Sequence, residues 1–404
     1  MTNSVPQRHM PVLTGNPLRI CMAAGHFLPN IGGVERYIYN LSKALMQQGA
    51  HVAVAATQLD NTPLAERLDG LDVFRIPSLQ LAGGRLPVPT PMSAAVNRQL
   101  EAIADWQPDI FVIHTHLFFS NLYVARLAQR LRKPYVLINH GSGYVAGGNP
   151  IVNLGLKAYE RFLARSIGKH CAAAFGVSLS AAQWLSEFGI PAEGVIANGV
   201  DAAAMPARSM AFRDRLGISP ETCLVAFAAR LLPEKGADTL LSAFQHIDPA
   251  SAALVIAGDG PALPTLRAMA GNDPRIHFPG ALIHSDVLNL FGAADIMAYP
   301  SRYPEGQPTT VLEAGAMGCA VIATPRGGTA ELINSPDLGY IVANQMELEA
   351  ALRRLLDDEP LRKTLGQNLQ QQVRMHHDWQ AIARSASVTF NSKCHDPAKA
   401  VATP

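Results

Sequence analysis

The stretch LRICMAAGHFLPNIGGVERYIYNLSKALMQQGAHVAVAAT, residues 18–57, decides the fold class of this chain. It opens with an apolar run at 18–24 that is typical of a buried strand. Apolar side chains then recur at helical spacing from Val34 to Leu45, and Gly49 ends that pattern. A second apolar run follows at 51–57. Strand, helix and strand in this order predict one unit of a mostly parallel sheet with helices on both faces.

The same alternation repeats along the rest of the chain. Further strand candidates lie at 109–115, 134–140, 172–178, 222–230, 252–258, 275–280, 295–301 and 320–325. The rhythm is interrupted at 198–221, which has no long apolar strand. We therefore predict an α/β protein with two doubly wound Rossmann-like domains that face each other across a cleft. Ligands of such sheets bind beyond the C-terminal ends of the strands.

These patterns divide the chain into segments. Residues 1–17 are predicted to be a flexible leader, 18–199 the first domain, 200–220 a linker, 221–377 the second domain, and 378–404 a last helix with a tail. The leader lacks the apolar core of a secretory signal. No uninterrupted apolar run reaches the ~18 residues that a membrane-spanning helix needs.

Composition and charge narrow the class of protein. The chain has 404 residues, of which 48% are hydrophobic and 16% are charged, which is typical of globular domains. Five cysteines without a CxxC pair predict a reduced, cytoplasmic protein with buried thiols. Residues 1–170 carry 16 Lys and Arg against 9 Asp and Glu, whereas residues 171–404 carry 17 against 23. The basic first half favours an anionic partner, with ordinary surface variation as the alternative.

Glycines and polar residues follow the predicted strands at the positions where such a fold binds ligands. Gly32 and Gly33 precede the first helix, so bare backbone can approach a phosphate at a helix N-terminus. His140 ends another strand and faces the predicted cleft, and Asn198 lies in a turn after a strand. Plain turns and a structural histidine are the alternatives. The glycine spacing fits neither the common dinucleotide fold nor a P-loop.

Two cations and a tight turn follow strands of the second half. Arg230 and Lys235 lie five residues apart in one loop, where they can converge on a single anion. Gly258 and Asp259 belong to the turn AGDGP, which is predicted to lie near the bound donor, and Pro261 is predicted to open the next helix. The alternatives are two solvated cations and an ordinary turn.

The segment EGQPTTVLEAGAMG, residues 305–318, places one carboxylate before a predicted helix and another inside it. Pro308 suits the first helical position, so Glu305 would lie in the loop and Glu313 one to two turns into the helix. Two carboxylates that flank helix N–H groups fit a molecule with hydroxyls at both ends and phosphate in the middle, as in a nucleotide sugar. Helix capping by acidic residues is the alternative. The expected ligand contacts of this segment are Glu305, Gly306, Gln307, Pro308, Thr309 and Glu313.

Taken together, these residues resemble the retaining glycosyltransferases of the GT4 type, which have the two-domain GT-B fold. The resemblance rests on GGVERYIYNLSKAL, NHG, NGVD, ARLLPEKG, AGDGP and EGQPTTVLEAGAMG, which follow the family's order between about residue 18 and residue 335. It implies transfer of a sugar from a UDP- or GDP-sugar to a glycan or lipid-linked acceptor. It also implies retention of the anomeric configuration and a role in cell-surface polysaccharide or glycolipid assembly.

The resemblance gives roles to the charged residues. Arg230 and Lys235 would hold the donor diphosphate and stabilise its departure, as preorganised cations do for developing negative charge. Glu313 would bind the nucleotide ribose, and Glu305 a hydroxyl of the donor sugar. No cofactor and no metal ion is expected, because these cations can stand in for a metal and the sequence has neither a DxD pair nor an HExxH motif.

The uncharged candidates take positioning roles in the same family. Gly32 and Gly33 would lie beside the diphosphate and the sugar, and His140 near the reacting carbon. Gln307 stands where many relatives have an apolar residue, which leaves the identity of the donor sugar open. The first domain takes the acceptor in this family. The segment HHDWQAIARSASVTF resembles the family's last helix, which crosses back to the first domain.

Two basic segments of the first half, 126–133 and 156–170, suit an anionic membrane that carries a lipid-linked acceptor. In 156–170 the apolar residues, Phe162 among them, are predicted to oppose the basic ones. Peripheral contact with the inner face of the cytoplasmic membrane is therefore expected, with packed helices and solvated charges as the alternative.

Two other functions compete with the transferase hypothesis. A non-catalytic, two-lobed nucleotide-sugar-binding relative and a sugar-nucleotide epimerase of related fold are the alternatives. Nucleic-acid binding is disfavoured, because the basic residues are not interleaved with stacking aromatic residues.

Overall fold

The structure, a computed structural model, describes residues 17–395 with gaps at 82–85, 92, 145–148 and 248–251. Most of the predicted leader and the end of the predicted tail, residues 1–16 and 396–404, lie outside the described residues. Within the described residues the strands form two large sheets and one small antiparallel pair. The protein is therefore an α/β protein with two Rossmann-like domains, as predicted.

The first sheet is built by strands of the first half. These strands are β1 (Arg19–Ala23), β2 (His51–Thr57), β3 (Ala65–Leu68), β4 (Leu71–Ile76), β5 (Ser78–Leu81), β6 (Leu86–Pro89), β7 (Ile110–His114), β8 (Tyr135–Asn139), β9 (Ala173–Gly176) and β10 (Gly194–Val195). The sheet order is β10-β9-β8-β7-β1-β2-β4-β3, and β5 pairs with β6 separately. All pairs of the large sheet are parallel except β3 with β4. The loops after β1, β7 and β8 therefore meet at one edge.

The second sheet is parallel throughout. Its strands are β11 (Cys223–Ala228), β12 (Ala252–Ala257), β13 (Ile276–Gly280), β14 (Ile296–Tyr299), β15 (Ala320–Ala323) and β16 (Tyr340–Ile341). They lie in the order β13-β12-β11-β14-β15-β16. Because β11 and β14 are neighbours, the loop with Arg230 and the loop with Glu305 leave the same edge of the sheet.

Helices cover both sheets and connect their strands. They are α1 (Gly33–Gln47), α2 (Ala94–Asp105), α3 (Phe119–Arg130), α4 (Pro150–Gly168), α5 (Leu179–Trp184), α6 (Ala211–Leu216), α7 (Ala237–Gln245), α8 (Leu263–Ala270), α9 (His284–Ala293), α10 (Thr309–Ala316), α11 (Thr329–Leu332), α12 (Gln345–Asp357), α13 (Glu359–His376) and α14 (Trp379–His395). Short 3-10 helices lie at Leu185–Phe188 and Pro233–Lys235. No helix in the described part of the chain is both long and apolar enough to cross a membrane.

Successive side chains of a strand point to opposite faces of the sheet, which explains why the first domain has an apolar cluster on each face. In β1, Ile20 and Met22 pack into one buried apolar cluster, and Cys21 packs into the cluster on the other face of the sheet. The last helix, α14, belongs to the first of these clusters through Trp379 and Phe390. Apolar burial therefore holds α14 on the first domain, although it follows the second domain in sequence.

Three local predictions are wrong. Pro308 is the N-cap of α10 and not its first residue, because its carbonyl accepts the first helical bond, from the N–H of Leu312. Pro261 lies in the turn before α8, whose first turn holds Pro264 instead. Phe162 is 54% exposed and does not pack inward, because the inward positions of α4 are taken by Leu163 and its neighbours.

Candidate active site

Hydrogen bonds join the loop after β14 to the first domain. The hydroxyl of Ser142 donates to the carbonyl of Glu305 at 2.6 Å, and the hydroxyl of Ser178 donates to the carbonyl of Gly306 at 2.9 Å. A Cβ on Gly306 would lie 2.1 Å from the carbonyl oxygen of His140, so only glycine allows this approach. The structure therefore brings the His140 loop and the Glu305 loop into direct contact.

Glu305 is the centre of a buried polar cluster. Its Oε1 accepts from Lys235 Nζ at 2.6 Å, from the Tyr299 hydroxyl at 2.8 Å and from Ser301 Oγ at 3.0 Å. Burial, followed by the Glu305 carboxylate, raises the pKa of Tyr299, so the phenol stays a neutral donor. Oε2 has no hydrogen-bond partner among the described residues, and it is not buried away from solvent. Oε2 is thus the oxygen that a ligand hydroxyl can reach.

The loop that carries Arg230 is shaped by the glycine turn after β12. A Cβ on Gly258, whose φ is +135°, would lie 1.9 Å from the carbonyl oxygen of Ala229. The N–H of Leu231 also donates to the carbonyl of Asp259 at 2.8 Å. Gly258 and Asp259 therefore pack against the Arg230 loop. The Arg230 side chain is exposed and has no ion pair among the described residues, whereas Lys235 is paired with Glu305.

Glu313 lies inside α10 and meets residues of both domains. Its Oε1 lies 2.7 Å from Nε2 of His284, the first residue of α9, and 3.9 Å from Nη1 of Arg36 on α1. Arg36 therefore reaches across the cleft to Glu313, the carboxylate that the family resemblance implies for ribose binding. Sequence reasoning missed both partners. His284 follows a strand as His140 does, and this position is the signal that could have found it.

The N-terminus of α1 is partly occupied by the protein itself. Gly32 is the N-cap of the helix, and a Cβ on Gly32 would lie 2.5 Å from a carboxylate oxygen of Glu35. Burial raises the pKa of Glu35, while the N–H groups of Glu35 and Gly32 oppose that rise. Around Gly33 a Cβ would find no atom within 4 Å. The open space expected beside a bound diphosphate is thus next to Gly33. At the N-terminus of α1, the Glu35 carboxylate would compete with a phosphate for the backbone N–H groups.

Asn198, Gln307 and Thr309 bond one another across the domain boundary. The side-chain amide of Asn198 donates to Thr309 Oγ1 at 2.9 Å, and its backbone N–H donates to Gln307 Oε1 at 2.7 Å. A ring nitrogen of His377 lies 3.0 Å from the Asn198 carbonyl. These residues hold the two domains together in this structure. The expected influence of Gln307 on sugar choice stays a prediction.

His140 is the first residue after β8 and is paired with a second histidine. Its Nε2 lies 3.1 Å from Nδ1 of His114, the last residue of β7, and the ring of Tyr37 packs edge-on against both imidazoles. Burial lowers the pKa of His140 to about 3, and burial together with His140 lowers the pKa of His114. Both imidazoles are therefore neutral near pH 7. Sequence reasoning selected His140 and missed His114.

A groove opens beside the contact between the two domains. Its volume is about 370 Å³, and its lining includes Trp184 of the first domain and Arg326 of the second. The ring of Trp184 packs edge-on against Tyr144 at 4.8 Å between centroids. An aromatic ring next to polar side chains can bind carbohydrate by apolar contact and hydrogen bonds. Within the described residues, no group of three or more His, Cys, Asp or Glu could hold a metal ion.

Two family models match the chain and together cover more than four fifths of it. The model described as "Glycosyltransferase Family 4" matches residues 31–204, and the model described as "Glycosyl transferases group 1" matches residues 210–372. The first match ends at residue 204 and the second begins at residue 210, both within the predicted linker. The first matched segment contains Gly33 and His140, and the second contains Arg230 and Glu305.

Individual relatives agree with the family models. A GDP-mannose-dependent alpha-(1-6)-phosphatidylinositol monomannoside mannosyltransferase of Mycobacterium tuberculosis is 28% identical, over 90% of this chain and 96% of that protein. The fold is similar to that of sucrose-phosphate synthase from Thermosynechococcus elongatus, with a TM-score of 0.75 at 20% identity over 93% and 98% of the two chains. Anabaena Alr3699/HepE in complex with UDP-glucose has a TM-score of 0.73 at 20% identity over 93% and 100%. The chain therefore belongs to the glycosyltransferases of the GT4 type and has the GT-B fold.

Proposed function

We propose that this glycosyltransferase moves a hexosyl group from a UDP- or GDP-sugar to a glycan or lipid-linked acceptor, with retention of the anomeric configuration. The observation that carries the proposal is the Glu305 cluster, in which one carboxylate oxygen is held by three donors and the other is accessible. A carboxylate held in this way is a preorganised acceptor for a sugar hydroxyl. The mycobacterial relative is named as GDP-mannose-dependent, which makes GDP-mannose the first donor to test.

The charges of the site fit the proposed reaction. The bond between the anomeric carbon and the diphosphate oxygen breaks, the acceptor oxygen bonds to the same face of that carbon, and the proton of the acceptor hydroxyl passes to the departing diphosphate oxygen. Negative charge then grows on the departing diphosphate, where exposed Arg230 and the Lys235 ammonium can stabilise it. Glu305 keeps Lys235 in place by their 2.6 Å ion pair. We expect no cofactor and no metal ion, and this stays part of the proposal.

Binding of nucleotide tests the donor side. UDP, GDP, ADP and their sugars are added to the protein with and without EDTA, and the melting temperature is measured. A ligand at a hundred times its dissociation constant adds about 2.7 kcal/mol of stability. We expect one nucleotide series to raise the melting temperature, with no effect of EDTA. Arg230→Ala should abolish the shift, and Arg267→Ala, an exposed arginine on α8, should keep it.

Turnover separates the enzyme from its alternatives. A non-catalytic binding relative would show the thermal shift without transfer or slow hydrolysis of the donor. An epimerase would convert the sugar while it stays on the nucleotide, which chromatography of the recovered donor detects. Transfer to an added glycan or lipid, with the anomeric configuration read by NMR, would support the proposal. An inverted product would overturn the retaining mechanism.

We also propose that the acceptor is presented at an anionic membrane in cell-surface glycan or glycolipid assembly, on the cytoplasmic side. Ile151, Leu154 and Phe162 on α4 are 82%, 71% and 54% exposed. Lys157 and Arg161 of the same helix are also exposed, and Arg161 Nε donates to the hydroxyl of Tyr144 at 3.0 Å. Apolar and basic side chains on one exposed helix favour an interfacial position on anionic lipid.

The same helix leads towards the groove that Trp184 lines, and we propose that this groove receives the acceptor. Tyr144 lies between the cations of α4 and the ring of Trp184, which lines the groove. Sedimentation with vesicles that contain anionic lipid tests the membrane proposal. We expect binding at low salt that decreases as salt increases, and weaker binding for Leu154→Ser. Absence of binding at low salt would refute it.

A further inference from the structure

His114 and His140 face each other through one ring nitrogen each, and their other ring nitrogens have different surroundings. Nδ1 of His114 faces Nε2 of His140 at 3.1 Å, and Nε2 of His114 lies 3.3 Å from the thioether sulfur of Met22. His114 and Met22 are both fully buried, so water does not replace either contact. Each neutral imidazole carries one N–H and one lone pair, and therefore this geometry restricts where the two protons are.

The thioether settles the protonation of His114. Sulfur in methionine is a weak acceptor and has no proton to donate. A lone pair on Nε2 of His114 would face the lone pairs of the sulfur, whereas an N–H at Nε2 can donate to it. The proton of His114 therefore belongs on Nε2, and its Nδ1 carries the lone pair. The N–H of the pair then comes from His140, which donates from Nε2 to His114 Nδ1.

The consequence appears on the other nitrogen of His140. Nδ1 of His140 has no hydrogen-bond partner among the described residues, and this atom is not buried away from solvent. His140 is a half-buried residue beside the Glu305 loop, and its Nδ1 is the ring nitrogen left for a ligand. With the proton held on Nε2, the accessible atom is a hydrogen-bond acceptor.

We propose that His114 is a positioning residue that holds His140 in its Nε2–H form, so that His140 presents an acceptor to a hydroxyl of the donor sugar. The nitrogen that is protonated in a histidine is set by the bond that the other nitrogen makes. Tyr37 supports the arrangement, because its ring packs on both imidazoles while its hydroxyl donates to the Ile196 carbonyl at 2.8 Å. The sugar as ligand rests on the proposed function, whereas the proton positions do not.

NMR of the nitrogen-labelled protein tests the proton positions without any substrate. The two ring nitrogens of His140 give distinct signals according to which one carries the proton. We expect the Nε2–H form of His140 in the full-length protein at pH 7, and the same form for His114. An Nδ1–H form of His140 would overturn the proposal whether or not the protein transfers sugar.

Variants of His114 then test the effect on the reaction. His114→Asn places Oδ1 the same number of bonds from the backbone as Nδ1, so it still accepts from His140. His114→Phe has a similar ring and accepts nothing. In His114→Phe we expect His140 to be a mixture of its Nδ1–H and Nε2–H forms, and kcat to be about tenfold lower. His114→Asn should recover most of that loss, and the dissociation constant of the nucleoside diphosphate should change less than twofold in both.

These outcomes separate the proposal from a merely structural role. A loss of activity in both variants, in parallel with their melting temperatures, would show that His114 only supports the fold. A His114→Phe variant in which His140 keeps its Nε2–H form would also overturn the proposal. If no donor is turned over by any variant, the proposed function fails, and the NMR result still decides the protonation.

Discussion

Replacement of Glu305 by alanine would test stability and catalysis at one position. It removes the oxygen that accepts from Lys235, Tyr299 and Ser301. The two hydroxyls each lose a bond of about 1 kcal/mol, and the ammonium loses a charge-assisted bond of about 1.5–3 kcal/mol. Tyr299 and Ser301 are 3% and 1% exposed, so water replaces little of this. We expect the free energy of unfolding to fall by about 3.5–5 kcal/mol.

Glu305→Gln is the matched control for the stability change. Its amide oxygen can keep the three hydrogen bonds while the negative charge is lost, so we expect a decrease of only about 1–2 kcal/mol. The amide then places an NH₂ group where Oε2 stands. That group donates and no longer accepts from a sugar hydroxyl. Transfer should therefore fall in both variants, with kcat/KM lower by about 10- to 100-fold.

Urea unfolding and initial rates of transfer are the two assays. The slope of the unfolding curve should stay constant between variants, so that a shift in midpoint reports stability alone. Equal stability of Glu305→Ala and Glu305→Gln would refute the argument that three donors depend on one oxygen. Transfer by Glu305→Gln at the rate of the unchanged protein would refute the role of Oε2.

Three further predictions concern the cleft. Gly306→Ala places a methyl group 2.1 Å from the His140 carbonyl, so we expect the loops to separate and kcat to fall at least about tenfold while calorimetry shows unchanged nucleotide binding. Trp184→Ala should raise the acceptor KM about tenfold without changing the donor KM. An unchanged acceptor KM would exclude the groove as the acceptor site. Because the pKa of His140 falls from 6.5 to about 3 on folding, the unfolded chain binds more protons in this range. Urea unfolding should therefore show stability that rises with pH between about 3 and 6.5, more steeply than for His140→Gln.

Predictions that depend on residues close together in the sequence agree with the structure. The apolar periodicity of 18–57 became β1, α1 and β2, because burial of one helix face and of both strand faces is encoded in consecutive residues. The position of Glu305 and Glu313 around the start of α10 also followed from local pattern. The turn at Gly258 was predicted to lie near a ligand; in the structure the backbone of Ala229 is its close neighbour, and contact with a ligand stays a prediction.

Residues that act through distant partners were beyond the sequence alone. Arg36 and Glu313 meet across the cleft, and His114 meets His140 only because β7 and β8 are parallel neighbours in register. No local pattern ties either pair together, since the contact depends on strand order and on how the two domains approach. Phe162 shows the same limit, because helical spacing does not say which face of α4 the core covers.

The sequence by itself determined the fold class, the family and the strand ends at which polar residues collect. These features depend on hydrophobic period and on short motifs, which each segment carries within itself. Tertiary structure alone decided which donors hold Glu305, that Glu313 has partners from two elements, and that His140 is paired through His114. The physical reason is that a side-chain hydrogen bond requires atoms to lie within about 3 Å, and only the packed sheets bring residues from separate strands that close.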